Sequence, residues 1–476
     1  MRLHHLLNKL KIESGDMDNN RSIVVSGIAD RSMDVKKGFV FVAISGFKTN
    51  GHKYINEAIC NGASVIIGEG DIAGLPVPYI KVKNSRKALG VIASNFYSNP
   101  SKKKNVIGIT GTNGKTTTSY MLKHILETSG LTCTIIGTNQ NVINGEIVQS
   151  VNTTPSSLVL QRILSASKDD VVIMEVSSHG LMQSRVEGVE FDFCLFTNMS
   201  HDHLDYHNSM EEYFRVKTSL FEKLKDNGCA VINIDDFWGE RLVKLLKGKV
   251  KNKLYTIGQS ASSHLRIINI RNSGITVKVK NDLVRICPFI PGIHNLYNAL
   301  MAVATANLLN IDEQGILASI NEFKGVEGRF EVIGLDNGAT AVVDYAHTPD
   351  AIFHCLRTAK QCGAKRLIHV FGFRGDRDSS KWQEMLSIAS ELSDQYILTL
   401  DDLNSVSHKK MVELIECFNN NYGNESGVII SDRTLAIKQA MEQSVPGDWI
   451  IITGKGHEIY QQNYHLKTVS DRDTIT

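Results

Sequence analysis

The sequence predicts an α/β protein of three domains, with parallel sheets in the second and third. The chain has 476 residues, more than one hydrophobic core usually organises, and about 150 residues per domain gives roughly three. Short apolar runs such as VIGIT (106–110), VVIMEV (171–176) and DWIIITG (448–454) recur with helix-length segments between several of them. Strands apolar on both faces belong in a parallel sheet covered by helices. A glycine-rich turn joins the first of these runs to a helical pattern, the order in which a nucleotide-binding sheet presents its loop.

The elements follow in order. FVFVAISG (39–46), an alanine-containing stretch at 57–63 and SVIIGEG (64–70) read as strand, helix, strand, a small α/β domain over 1–100. The polar segment from Tyr97 to Asn105 carries Pro100 and precedes a new apolar run, so the first boundary falls there. VIGIT, VVIMEV, FDFCLFTN (191–198) and CAVINI (229–234) then supply the parallel sheet of a central domain over 101–326. Alternation across 264–289 predicts antiparallel strands inserted before a helix at about 294–309. The second boundary is expected near Gly325–Arg329. Beyond it TAVVDYA, KRLIHVFGF, QYILTL and DWIIITG are four buried strands separated by helix-length segments, a Rossmann-like doubly wound domain over 327–476.

With 52 basic and 50 acidic residues the chain has no overall field to attract nucleic acid or a membrane surface. Its eight cysteines include no Cys-x-x-Cys pair, so neither a disulfide framework nor a zinc site is indicated. No apolar run reaches signal-peptide or membrane-span length. A monomer in the reducing cytoplasm is expected.

The strongest local signal runs from Gly108 to Thr117, GITGTNGKTT. Backbone N–H groups of Thr110, Gly111, Thr112, Asn113 and Gly114 can face an anion at a helix N-terminus. Lys115 can neutralise phosphate, and the Thr116 hydroxyl can ligate Mg²⁺. ATP is the expected ligand of this phosphate-loop, ATPase-type domain. The position five residues before Gly114 is Ile109 and not glycine, so the loop is a shortened variant. Glu175 ends VVIMEV and His203 follows FDFCLFTN, at the strand ends where open sheets place ligands, and both can organise Mg²⁺.

GTNGKTTT, EVSSHGL, TNMSHDHLDYH, Tyr213-x-x-x-Lys217, GIHNLYNAL, GRFE (328–331), VDYAHTPD (343–350), GDRD (375–378), GKGHE (454–458) and SDR (470–472) occur in order along nearly the whole chain. This combination resembles the Mur ligases, ATP-dependent enzymes that activate a carboxylate as an acyl phosphate and join it to an amine. The nearest members add the third peptide residue to UDP-N-acetylmuramoyl-L-alanyl-D-glutamate. The resemblance implies that Thr116 and Glu175 hold one Mg²⁺, while His203 and a carbamylated Lys217 serve a second. It implies nucleotide contacts from Asn298, Arg329 and Asp344. Asn152, Thr153, Thr154, Ser177, Gln183 and Arg185 would hold the nucleotide-sugar dipeptide, with Ser32, Phe47, Lys48 and Thr49 on its uridine end. Arg377, Gly454 and Glu458 would grip the incoming amino acid.

The chain departs from the pattern in two places. Arg31-Ser32-Met33 stands where Asp-Ser-Arg is usual, and Asp401-Asp402-Leu403-Asn404 stands where diaminopimelate-adding members carry Asp-Asn-Pro-Arg. Without that arginine a second substrate carboxylate lacks its partner, and two acidic residues favour a side-chain ammonium. The expected amine is therefore L-lysine or another diamino acid, bound by Asp401, Asp402 and Asn404. Phe373-Arg374 is a further oddity, where small residues are common. Two rivals remain open: an amide ligase of another pathway, and a phosphate-loop binding protein that has lost catalysis.

Overall fold

The computed structural model describes residues 1–15, 22–46, 49–248, 253–271, 274–279 and 282–476. They form three sheets of five, eleven and six strands with helices between them, the α/β class the sequence predicts. By its contacts the chain divides into two compact units. The first is Met1–Gly108 with Leu131–Cys194 and Val216–Cys229, and the second is Ile109–Gly130 with Leu195–Arg215 and Ala230–Thr476. Among the described residues no helix is long and apolar enough to cross a membrane.

In the first unit the five-stranded sheet runs Ile12–Ser14, Tyr79–Val82, Ala63–Gly68, Phe39–Val42, Gly27–Ala29, parallel except at the Ile12–Ser14 edge. Period-two alternation explains its two cores. Val40, Val42, Val65 and Ile67 face helix Ser85–Phe96 through Leu89 and Ile92, while Phe41 and Ile66 face helix Ile55–Cys60 through Ile55 and Ala58. This unit also carries Val171–Glu175 paired in parallel with Cys133–Ile136, which continues antiparallel into Asn141–Ile143 and Glu146–Val148. Asn144 and Gly145 both have positive φ, as a two-residue hairpin turn requires.

The second unit holds helix Lys115–Thr128 and the strands Lys253–Gly258, Leu265–Arg271, Gly274–Val279 and Asp282–Ile286, the last three antiparallel as expected from their alternation. Helix Ile293–Leu308 follows. The six-stranded sheet runs Glu331–Gly334, Thr340–Asp344, Trp449–Thr453, Leu367–Phe373, Gln395–Leu400, Gly427–Ile429, antiparallel only between its first two strands. Val343, Val370, Ile397 and Ile452 pack on Ala436, Ile437 and Ala440 of helix Arg433–Glu442. Because these strands are parallel, the loops after Asp344, Phe373, Leu400 and Thr453 emerge at one sheet edge, where doubly wound folds bind ligands.

Candidate active site

Strand Asn105–Thr110 leads into the loop Gly111–Gly114 of the second unit, and helix Lys115–Thr128 begins directly behind it. A Cβ on Gly111 would lie 1.9 Å from Thr197 Oγ1, and one on Gly114, whose φ is +85°, would lie 2.2 Å from Asn298 Oδ1. Glycine is therefore required where the loop is pressed onto its supports. Thr197 Oγ1 donates to Asn113 O at 2.7 Å, Asn113 N donates to Asn198 Oδ1 at 2.9 Å, and Thr112 N donates to Asn198 O at 2.9 Å. The Lys115 ammonium donates to the carbonyls of Gly111 and Thr112, both at 2.9 Å, which places it across the loop. Asn298, expected near adenine, is 4% exposed, and its Oδ1 accepts from Thr118 Oγ1 at 3.4 Å. Here it braces the phosphate loop. Asn113 Nδ2 donates to Asp350 Oδ2 at 3.0 Å.

Arg329 Nη2 donates to Thr116 Oγ1 at 3.1 Å, and its guanidinium lies 4.4 Å from the centre of the Tyr345 ring. Asp344 accepts from the backbone N–H of Phe330 at 2.6 Å and of Ala346 at 2.7 Å, so its carboxylate shapes the turn that carries Arg329. Burial raises the Asp344 carboxyl against the opposing pull of Arg329. His203, with φ +56°, has Nε2 3.3 Å from the buried Asp202. Lys381 Nζ is 3.0 Å and His347 Nε2 3.8 Å from the same carboxylate. Burial pushes Asp202 up, but His203, His347 and Lys381 outweigh it and hold the carboxyl well below its usual range.

In the first unit, Glu175 is fully buried and accepts from Thr138 N at 3.0 Å and Thr138 Oγ1 at 2.9 Å. Thr138 Oγ1 is also 3.1 Å from Thr153 Oγ1, and Thr154 Oγ1 donates to Glu175 O at 2.9 Å. Ser177 caps helix Ser178–Met182 and bonds Thr154, whose carbonyl accepts from Arg185 Nη1 at 2.7 Å; Arg185 also grips Gln183 Oε1. The sequence-predicted acceptor residues Thr153, Thr154, Ser177, Gln183 and Arg185 thus form one hydrogen-bonded cluster with Glu175, while Asn152 is exposed beside it. Lys217 lies on helix Met210–Thr218 and is 1% exposed. Ser32 is nearly buried, with its carbonyl held by Asn61 Nδ2, and Thr49 is exposed. Phe47 and Lys48 lie outside the described residues.

The loops of the six-stranded sheet gather the remaining residues, all in the second unit. Asp401 and Asp402 are 1% and 4% exposed. Lys455, fully buried, places Nζ 2.5 Å from Asp402 Oδ1 and 3.4 Å from Asp401 Oδ1, while Arg374 Nε lies 3.4 Å from Asp401 Oδ2. This corrects the expectation of a negative pocket: the two carboxylates are already countered by cations. Burial raises Asp401, but Arg374, Lys455 and Arg433 hold it below the usual carboxylate range. Gly454, at φ +111°, passes so close that a Cβ would lie 2.7 Å from Asp401 Oδ2. Glu458 accepts from Tyr345 OH at 3.0 Å and Arg374 Nη2 at 2.5 Å. Asn404 Nδ2 donates to Gly375 O at 2.6 Å, and Arg377 is exposed. Thr138, Tyr345 and Lys455 were not singled out from sequence. Each acts through a partner distant in the chain.

Among the described residues no three His, Cys, Asp or Glu side chains form a ready-made metal cage. Mg²⁺ prefers few protein oxygens supplemented by water and substrate phosphates; the Thr116 hydroxyl in the second unit and the Glu175 carboxylate in the first are each oxygen donors.

Comparison with known proteins places this geometry in a family. Residues 24–97 match the Mur ligase family catalytic domain, 109–306 the Mur ligase middle domain, and 328–456 the Mur ligase glutamate ligase domain. A UDP-N-acetylmuramoyl-L-alanyl-D-glutamate--2,6-diaminopimelate ligase of Caldanaerobacter subterraneus subsp. tengcongensis is 40% identical over 469 residues, covering 97% of this chain and 95% of the relative. The ligase of the same name from Clostridium tetani is 38% identical over 474 residues, again covering 97% and 95%. A solved structure of a ligase with that name has a TM-score of 0.69 at 26% identity, covering 100% of this chain and 98% of the other. The chain belongs to the Mur ligase family and is an ATP-dependent ligase that forms peptide bonds, with ATP and Mg²⁺ as its cofactors.

Proposed function

We propose that this chain adds a diamino acid, 2,6-diaminopimelate ahead of lysine, to UDP-N-acetylmuramoyl-L-alanyl-D-glutamate in cytoplasmic peptidoglycan precursor synthesis, acting as a monomer. The observation that carries the choice of amine is Lys455 buried between Asp401 and Asp402. A preference for lysine needs an uncompensated acidic pocket, and these carboxylates are compensated. Relatives 38–40% identical across 97% of the chain are named for diaminopimelate, which supports the same reading.

Residues 1–100 would hold the uridine end, 101–326 the ATP and 327–476 the amine. An oxygen of the D-glutamyl γ-carboxylate attacks the γ-phosphorus of ATP and ADP leaves. The neutral amine then attacks the acyl carbon, phosphate leaves, and the nitrogen loses its proton. Lys115 and Arg329 would neutralise charge on the transferring phosphoryl group, an electrostatic contribution made by groups already in place. The Thr153, Thr154, Ser177 and Arg185 cluster would orient the acceptor. Mg²⁺, when bound, would supply further charge neutralisation, and Thr116, Glu175, His203 and a carbamate on Lys217 are the groups that would serve as its ligands. Carbamylation would turn the buried Lys217 amine into an anionic oxygen donor.

The departure at Arg31-Ser32-Met33, where Arg31 Nη2 lies 2.8 Å from Met33 Sδ, favours as a second reading an acceptor other than the uridine nucleotide. Incubating the protein with ATP, the UDP-linked dipeptide and single amino acids, then weighing the products, tests both. A product heavier by one diaminopimelyl residue is expected. ADP release with a different carboxylate only, and no UDP-linked product, would select the second reading.

A further inference from the structure

The amine-site loops present their charges in two layers. Behind, Lys455 is fully buried and committed to Asp402 and Asp401. In front, Arg374 and Glu458 keep side-chain exposures of 19% and 27% and touch each other at 2.5 Å. Arg374 is also fixed by Gly454 O at 2.9 Å and faces Asp401 Oδ2 at 3.4 Å, and Glu458 is held by Tyr345 OH at 3.0 Å. The ring of Tyr345 lies 5.4 Å from the Arg374 guanidinium. A solvent-reachable guanidinium beside a solvent-reachable carboxylate is the complement of an α-amino-acid head, which carries one carboxylate and one ammonium on a single carbon.

We propose that Arg374 is the specificity-determining residue that takes the carboxylate on the far α-amino-acid head of the incoming diamino acid, beside Glu458, whose grip on the amino acid the family resemblance already implies and which would face the ammonium of that head. The inference rests on the proposed amine. On binding, the ion pair opens and each member exchanges its partner for one of opposite charge on the substrate, so no charge is left uncompensated. Lysine, whose side chain ends in an ammonium alone, would occupy Glu458 and leave Arg374 without a carboxylate from the substrate. Arg374 would then keep Asp401, 3.4 Å away, having given up Glu458, and a polar group that loses a partner only with the wrong substrate is a strong source of discrimination.

Arg374 stands where it does because two loops are fastened together. Gly375 N donates to Asp402 O at 2.9 Å, Asn404 Nδ2 donates to Gly375 O at 2.6 Å, and a Cβ on Gly375 would lie 2.3 Å from Leu403 O. Position 404, which brings no charge, is thus one hydrogen bond from the residue following Arg374. A cation on either loop reaches the same neighbourhood.

The test compares kcat/KM for meso-diaminopimelate and L-lysine in the full-length protein, its Arg374→Ala and Arg374→Gln variants, and the double variant Arg374→Ala with Asn404→Arg. The parent is expected to prefer diaminopimelate at least tenfold. Each single variant should lower that ratio at least tenfold, mainly through the KM for diaminopimelate, and the arginine at 404 should restore at least threefold of it. A general scaffold role for Arg374 would not be rescued from the opposite loop. A parent that prefers diaminopimelate, with single variants whose ratio moves less than threefold or a double variant that restores nothing, overturns the assignment of Arg374 alone. A parent that prefers lysine, or uses neither amine, overturns the amine reading and this inference with it.

Discussion

Replacing Lys455 with methionine removes one buried cation while keeping a flexible side chain of similar reach. Its Nζ lies 2.5 Å from Asp402 Oδ1 and 3.4 Å from Asp401 Oδ1, and all three side chains are almost wholly inaccessible. Breaking a buried pair from one side leaves a charge without compensation, which costs about 3–5 kcal/mol. Arg374 still faces Asp401 at 3.4 Å, so the low end, about 3 kcal/mol, is expected. The pH dependence follows from Asp401. Burial raises its carboxyl, but Arg374, Lys455 and Arg433 hold it below the usual range. A depressed carboxyl contributes stability that is present above its unfolded pKa of about 4 and lost as pH falls. The variant forfeits part of that contribution, so the gap between parent and variant should be full at pH 7.5, still be present at pH 4, and shrink only as pH falls below about 4. Urea unfolding followed by tryptophan fluorescence reads it, since Trp382 and Trp449 both lie in this part of the chain. Adding Asp402→Asn should recover at least half the loss. A loss below about 1 kcal/mol at pH 7.5, or a gap that does not change with pH, would refute the two-layer account of this site.

Three further outcomes are expected. Lys115→Ala should abolish ligation while leaving the thermal unfolding midpoint within a few degrees, because its ammonium donates to the carbonyls of Gly111 and Thr112 in its own loop; ligation at the parental rate would remove the phosphate-loop assignment. Gly114→Ala must adopt φ +85° against Asn298, at a conformational cost of about 1–2 kcal/mol before the clash is relieved, and kcat/KM for ATP should fall at least tenfold; a fall below threefold contradicts the bracing role of Asn298. Lys217→Ala should be nearly inactive and recover partly with a small added carboxylic acid, measured as ADP release; no recovery across a series of such acids speaks against a carbamate.

What was legible in the sequence was what is local. The phosphate loop announces itself because strand, glycines, Lys115 and helix are contiguous, and Glu175 because it ends an apolar run. The antiparallel strands before helix Ile293–Leu308 show in their alternation. Asn144-Gly145 carried an equally local hairpin signal that the strand reading passed over. What stayed hidden is pairing across the chain. Asp401 and Asp402 read as a negative loop because nothing near them in sequence reveals Lys455, 53 residues beyond Asp402, between them. Lys381 is likewise joined to Asp202 across 179 residues. Arg374 stood out as an oddity of composition, but only the bond from Asn404 to Gly375 shows that it shares a neighbourhood with position 404.

The central claim is that the acceptor carboxylate is activated by phosphorylation before the amine attacks. Supplying UDP-N-acetylmuramoyl-L-alanyl-D-glutamate labelled with ¹⁸O in the γ-carboxylate, with ATP and diaminopimelate, tests it most directly. Breakdown of an acyl phosphate by the amine transfers one labelled oxygen to the departing group, so the account predicts one ¹⁸O in the released inorganic phosphate for each peptide bond formed. Label recovered in AMP, or inorganic phosphate free of label while the amide product accumulates, would contradict it.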